Sequence, residues 1–242
     1  MRIGVTAANK RRGAGAPFTI AGLFAAGEKG AAYDFANASK LAVNGDGSGG
    51  APAPGGTVRW AVDQSPNGNH LRTNQSANLP TWSAGGLTTS GAGFGLFNFA
   101  GFGDWPNIPQ PFEMVCCLEQ IAFAGSDSRL LSAGPATPWW LLQGPASGNV
   151  RLYDGSYGTT VAAGLAAEFT IDGLADGGNG LVAINGGAMV ASAGVGQPLN
   201  GLAIGSDAGG GNPTRTRFKR LLVVGRVLTA AERAGAVAWA SA

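Results

Sequence analysis

From Val58 onward, apolar and polar residues change over in short blocks. "TVRWAVD", "GFGLFNF", "FEMVCCLEQIAF", "NVRLYDG", "EFTIDGL", "GLVAING", "NGLAIGS" and "TRFKRLLVVG" are the clearest. Short runs of this kind, several alternating at period two, are what strands with one buried face produce. Turn formers separate the blocks every 8 to 15 residues, and "VAING" and "YDGSYG" supply the Asn-Gly and Asp-Gly steps that suit hairpin turns. The long helical patterns that a parallel α/β fold needs between its strands are missing. The pattern predicts an all-β fold, a sandwich or barrel. One helix is predicted at the end, where Thr229 and Glu232 form a T-x-x-E capping box ahead of "AAERAGAVAWASA".

The first quarter of the chain reads differently. Residues 1–16 are small, polar and basic without periodicity, and are expected to form an arm that is disordered alone or docks on a partner. Residues 17–242 are expected to form one domain. Its first run carries Phe18, Ile20, Leu23 and Phe24 and suits either a strand or a short helix. "NGDGSGGAPAPGGT", Asn44 to Thr57, is a low-complexity loop. Its formal G-x-G-x-x-G match at Gly45, Gly47 and Gly50 is rejected as a dinucleotide site, because Pro52 and Pro54 block the helix that would have to follow. A calcium loop through Asn44, Asp46 and Ser48 fails as well, with Gly55 where a bidentate Glu is required.

Composition narrows the function. Apolar residues make up 45% and charged residues 12%, enough for a core and too little charge for disorder. The 42 glycines fall in pairs and triples between apolar runs, as tight turns require. A net charge of +2, with basic clusters only at Lys10–Arg12 and Arg215–Arg220, argues against nucleic acid as a partner. No apolar stretch approaches the ~20 residues of a membrane span, so no membrane partner is expected. The N-terminus lacks the apolar core of a secretory signal. Adjacent Cys116 and Cys117 would point to opposite faces of a strand and not pair, one thiol buried and the other more exposed. A reducing cytoplasm is the expected place of synthesis.

Four stretches in order, "DQSPNGNHL", "PFEMVCCLEQ", "FTIDG…GLVAINGGAMVAS" and "GLAIGSDAGGG…FKRLLVVGRVLTAAER…W", resemble the concanavalin A-like (laminin-G-like) jelly-roll family from about Val58 to Trp239. The resemblance implies two packed antiparallel sheets with a short C-terminal helix. With the preceding "LFAAGEKGAAYDF" segment, the chain resembles modules of tailed-phage and gene transfer agent structural proteins, found in spikes, fibres and decorations. That implies a place on the surface of a virion or phage-like particle, assembly as a homo-oligomer, and docking on other particle proteins through the N-terminal arm.

Within "WAVDQSPNGNHLRTN", Asp63, Asn67, Gly68 and Asn69 sit where the family makes a turn, and Asx side chains cap such turns. His70 is the only histidine, so it has no second imidazole to share a metal; no metal and no cofactor are expected. It also limits nucleophilic triads to one choice, and no nucleophile elbow accompanies it. Of the acidic pairs Glu113/Glu119 and Glu168/Asp172, the first spans about 20 Å of strand, too far for two-carboxylate glycoside hydrolysis. The sequence therefore points away from an enzyme. Sugar sites stack rings and use Asp, Asn and Arg for hydroxyls. The candidates for a cell-surface polysaccharide are Trp105, Trp139, Trp140, Tyr153, Asp154, Tyr157, Asp207 and Asn212. Trp105, in "GFGDWPNIPQP", either caps the sandwich edge or faces solvent. Two functions are open: host attachment through carbohydrate, or a structural decoration or adaptor with no ligand of its own.

Overall fold

The computed structural model describes residues 17–93, 95–99, 105–122, 129–133, 140–143, 149–153, 158–162, 168–192, 196–206, 211 and 213–242. The arm at 1–16 lies outside them. In chain order the strands are β1 (Gly30–Asp34), β2 (Leu41–Ala42), β3 (Trp60–Ala61), β4 (Leu71–Arg72), β5 (Thr81–Ser83) and β6 (Gly86–Thr88). There follow β7 (Phe97–Phe99), β8 (Phe112–Ala122), β9 (Arg129–Ser132), β10 (Trp140–Gln143), β11 (Asn149–Tyr153) and β12 (Val161–Ala162). The last are β13 (Glu168–Ala175), β14 (Leu181–Ile184), β15 (Val190–Ala191), β16 (Gly201–Ile204) and β17 (Arg215–Val224). Two α-helices flank them, α1 (Ile20–Leu23) and α2 (Ala230–Ser241).

The strands pair antiparallel into two sheets. The first runs β15-β14-β13-β8-β17-β6-β5, with β1 on the C-terminal half of β17; the second runs β12-β11-β10-β9-β16-β7-β4-β3-β2. The all-β sandwich read from the pattern is the fold observed, and the helix opens with the expected Thr229–Glu232 capping box.

Alternation decides what fills the space between the sheets. On β8, Phe112, Met114, Cys116 and Leu118 join the inner core, while Val115 and Cys117 join a second cluster on the outside of the first sheet. On β17 strict alternation would put Phe218 and Leu221 on opposite faces. A register shift between Phe218 and Arg220 absorbs one residue, so both enter the inner core. A similar shift on β9 sends both Leu130 and Leu131 inward. Both cysteines are buried and unpaired, Cys117 included, which corrects the expectation of one exposed thiol. Cys117 is covered because α2 packs over β8, β17 and β13.

The outer cluster joins Leu23 and Phe24 of the α1 segment, Val115, Cys117, Leu222 and Val224 of the sheet, and Ala236 and Ala240 of α2. Its polar anchor is a pair of carboxyls. Glu113 is fully buried and Asp172 is 2% exposed. Arg233 of α2 bonds Glu113 at 2.6 and 3.0 Å and Asp172 at 3.1 Å, and the Leu228 N–H donates to Glu113 at 2.8 Å. The along-strand pairs considered from sequence are replaced by this cross-strand pair; Glu119 bonds Arg217 and Glu168 bonds Lys219 instead. Burial first, then the neighbouring Glu113, pushes the Asp172 carboxyl up to about 8, against the pull of Arg233.

Two outcomes follow from this helix contact. Between about pH 4 and 8 the folded chain keeps a proton on Asp172 that the unfolded chain has released. Stability from this group therefore falls as pH rises through that window, with a slope limited to about 1.4 kcal/mol per pH unit. Asp172→Asn removes the slope, so urea midpoints of variant and native chain should diverge from pH 5 to 8 and run parallel above pH 9. A Cβ built on Gly235 would lie 2.5 Å from Phe18. Gly235→Ala, favourable by about 1 kcal/mol in an open helix, should here lower the melting temperature.

Candidate functional site

The "DQSPNGNH" turn is a structural knot. The Asp63 carboxylate is buried and accepts four hydrogen bonds: from the Ala32 N–H at 2.9 Å, the Ser65 N–H at 2.8 Å, the Ser65 hydroxyl at 2.7 Å and the Asn69 N–H at 2.9 Å. Two carboxylate oxygens offer about four acceptor positions, and all are used. The Asn69 amide donates to the Gly30 carbonyl at 2.8 Å, Asn67 donates to Gly30 and Glu28, and the Tyr33 hydroxyl donates to the Asn69 carbonyl. Burial, then Asp63, holds the Tyr33 phenol well above its ordinary range. His70 Nδ1 accepts the Asp63 N–H at 3.0 Å, and its ring packs on Trp60 with centroids 4.9 Å apart. Asp63, Asn67 and Asn69 tie the turn to β1, and His70 ties it to Trp60 of β3, in keeping with the turn reading. Among the described residues no group of three or more His, Cys, Asp or Glu is placed to hold a metal.

The candidate binding surface is the outer face of the second sheet. Both α-helices lie over the first sheet. Register defines what the second sheet presents. Trp60 opposes Arg72, Arg72 opposes Phe97, Phe97 opposes Ala203 and Ala203 opposes Ser132, so these five positions share one face, on which Trp60 and Arg72 are half-buried and Phe97, Ala203 and Ser132 are buried. The neighbouring Ala61, Leu71, Leu202 and Leu131 turn inward. Towards the other edge, Arg129 and Arg151 both oppose Leu142, and Tyr153 opposes Trp140. In β11 the burial pattern alternates: Val150 and Leu152 are core, whereas Asn149, Arg151 and Tyr153 are half-buried.

Charge separates the two sheets. The strands of the first carry Asp34, Glu113, Glu119, Glu168 and Asp172 together with their cations. The strands of the second contain no Asp or Glu, and their only charged residues are Arg72, Arg129 and Arg151.

At the β3–β4 end a groove of about 450 Å³ is lined by Gly45, Arg59, Arg72, Thr73 and Asn74. The glycine-rich loop makes one wall. A Cβ on Gly45 would meet the Thr73 carbonyl oxygen at 2.9 Å, and one on Gly47, where φ is +83°, would meet the Trp60 ring at 3.2 Å. Trp60 is thus held between Gly47 and His70.

The sequence-derived candidates divide accordingly. Tyr153 is half-buried on the outer face, opposite Trp140 in register. Trp105 is not on a surface: it is 5% exposed and packs in the inner core, its indole Nε1 without a hydrogen-bond partner among the described residues. Ile108 pulls that segment inward by exchanging two backbone bonds with Leu199, at 2.9 and 2.8 Å. A ring so buried presents no face to a sugar. Trp139, Asp154, Tyr157, Asp207 and Asn212 lie outside the described residues. The arginines went unnoticed in sequence, although the alternation in "NVRLY" marks Arg151 and Tyr153 as sharing a face.

No family model and no curated protein matches the chain. Solved structures do. Trypanosoma rangeli sialidase in complex with sialic acid matches with a TM-score of 0.59 at 14% identity, over 88% of this chain and 33% of that one. The same organism's sialidase with 2,3-difluoro-KDN gives 0.55 at 17% identity, over 86% and 32%. A mutant of it displaying trans-sialidase activity gives 0.53 at 17% identity, over 81% and 35%. The chain spans about a third of the length of these proteins, and the likeness is one of fold, a β-sandwich of the concanavalin A-like class. The expectation that the chain stands apart from enzymes is overturned, since the structures it matches are sialidases.

Asp63→Ala would strand three backbone N–H donors in the interior. A loss on the order of 3 to 5 kcal/mol is expected from their unmet bonds, read as a drop in the urea midpoint. A loss under about 1 kcal/mol would mean that water replaces the carboxylate.

Proposed function

We propose that this chain is a carbohydrate-binding β-sandwich and that its ligand lies across the outer face of the second sheet. The observation that carries the reading is the asymmetry of the two sheets. One outer face is closed by α2 and the α1 segment through an apolar cluster. The other presents Asn149, Arg151 and Tyr153 in a row, half-buried, beside Arg129. A phenol ring with flanking amide and guanidinium donors suits a pyranose, which offers an apolar face for stacking and hydroxyls around its edge. Support of a second kind comes from the matched fold, which occurs in a sialidase in complex with sialic acid.

The context we propose follows the sequence resemblance to tailed-phage and gene transfer agent modules. There the domain serves as a spike or fibre component that attaches a particle to cell-surface polysaccharide. It is made in the bacterial cytoplasm, assembles as a homo-oligomer and docks on other particle proteins through residues 1–16. Trp139, Trp140, Asp154, Tyr157, Asp207 and Asn212 remain proposed contributors to the ligand site.

Replacing Tyr153 with Ala and Arg151 with Gln tests the face. Calorimetric titration with host polysaccharide should show each variant weakened by about 1 to 3 kcal/mol, the usual worth of an anchoring contact. Unfolding midpoints should move by no more than about 0.5 kcal/mol, as for surface changes. Full binding by both variants would remove this face from consideration.

A further inference from the structure

The groove beside β3 and β4 has a lining of definite charge. Its lining supplies two guanidinium groups, Arg59 and Arg72, a threonine and an asparagine, and none of the described lining residues is acidic. Both arginines are half-buried. Their strands are held in register, with Trp60 opposite Arg72 and the Thr73 N–H donating to the Arg59 carbonyl at 2.9 Å. The overhanging loop carries one carboxylate, that of Asp46, which is turned into its own loop: its Oδ1 accepts the Ser48 N–H at 2.9 Å and the Ser48 hydroxyl at 2.6 Å. The loop closes on itself through Asn44 N–H to Ser48 and Gly47 N–H to Asn44. It closes over β3 and β4 only because Gly45 and Gly47 lack side chains that would strike Thr73 and Trp60.

A groove of about 450 Å³ falls within the ~300–1,000 Å³ range of small-molecule sites. Guanidinium forks match a planar carboxylate through paired N–H bonds. We infer that this groove binds the carboxylate of an acidic sugar, so that the glycan recognised by the second sheet is a carboxylated one. The inference rests on the carbohydrate-binding reading for its sugar and on the groove for its charge. The absence of acidic residues from all nine strands of this sheet fits the same ligand, because no fixed negative charge on the strands opposes an anion. By strand order Arg72 on β4 and Tyr153 on β11 are five strands apart, about 24 Å at the usual spacing. The groove is therefore a second subsite, and a polymer engaging both gains from their linkage on one chain.

The test is titration of the isotope-labelled chain with glucuronate, glucose or inorganic phosphate, following backbone amide resonances. Glucuronate should shift Gly45, Thr73 and Asn74. Glucose and phosphate at equal concentration should act at least about tenfold more weakly. Arg59→Gln should weaken the glucuronate response about tenfold, the loss expected for one charge-assisted contact, with an unchanged melting temperature. Equal responses to glucose or phosphate, or an unaltered response in Arg59→Gln, would overturn the inference. Sugar-dependent shifts confined to Arg151 and Tyr153 would overturn it while leaving the carbohydrate-binding reading in place. No shift anywhere with either sugar would overturn both.

Discussion

Two carboxyl groups buried beneath one guanidinium decide which side of this sandwich the C-terminal helix covers. Glu113 and Asp172 lie on neighbouring strands of the first sheet, away from the inner core, and Arg233 on α2 bonds both. Buried acids without a cation are costly, so the helix that brings Arg233 is bound to that face by more than its apolar stripe. Around this anchor the helix lays Ala236 and Ala240 over Val115, Cys117 and Leu222. Arg220 adds to the cover, ion-paired to Asp34 at 3.3 Å and lying 5.5 Å from the Trp239 ring centre. The strands of the second sheet carry no acidic residue that could recruit a comparable cap. On its outer face Asn149, Arg151 and Tyr153 stay half-buried, while Phe97, Ala203 and Ser132 are buried.

The two sheets reach this division through the same device used twice. A strand that must give two successive apolar residues to the core, yet still return a cation to its outer face, needs one extra residue. On β17 the shift at Phe218–Arg220 keeps Phe218, Leu221 and Val223 inside while Arg220 turns towards α2. On β9 the shift buries Leu130 and Leu131 and leaves Arg129 opposite Leu142, level with Arg151. Register, more than residue choice alone, places each arginine where it acts.

Much of the fold was legible because period-two alternation is local and strong; "NVRLY" and "FEMVCC" state their own buried faces. The capping box marked the helix within four residues. What escaped was everything carried by pairing between distant segments. Glu113 and Asp172 meet only because β8 and β13 are neighbours, and no pattern within either strand announces it. Arg129 and Arg151 become companions through a strand between them. Trp105 was misplaced for a different reason: prolines around it rule out a ladder, but a single bridge at Ile108 suffices to draw the ring inward. The Asp63 turn was read correctly in kind, since Asx residues beside Gly make turns by local chemistry. Its reach to Gly30 and Tyr33 was not visible.

The adjacent cysteines give the molecule two built-in clocks. Cys116 belongs to the space between the sheets and Cys117 to the space under α2. Burial raises both thiols, Cys117 to about 11, so neither reacts readily while covered. Lifting of the helix alone uncovers one sulfur; parting of the sheets is needed to uncover the other. The rates at which the two take up an alkylating reagent thus separate the local opening of a surface helix from the global opening of the sandwich. Neighbouring atoms in one strand report on two different layers of the protein's stability.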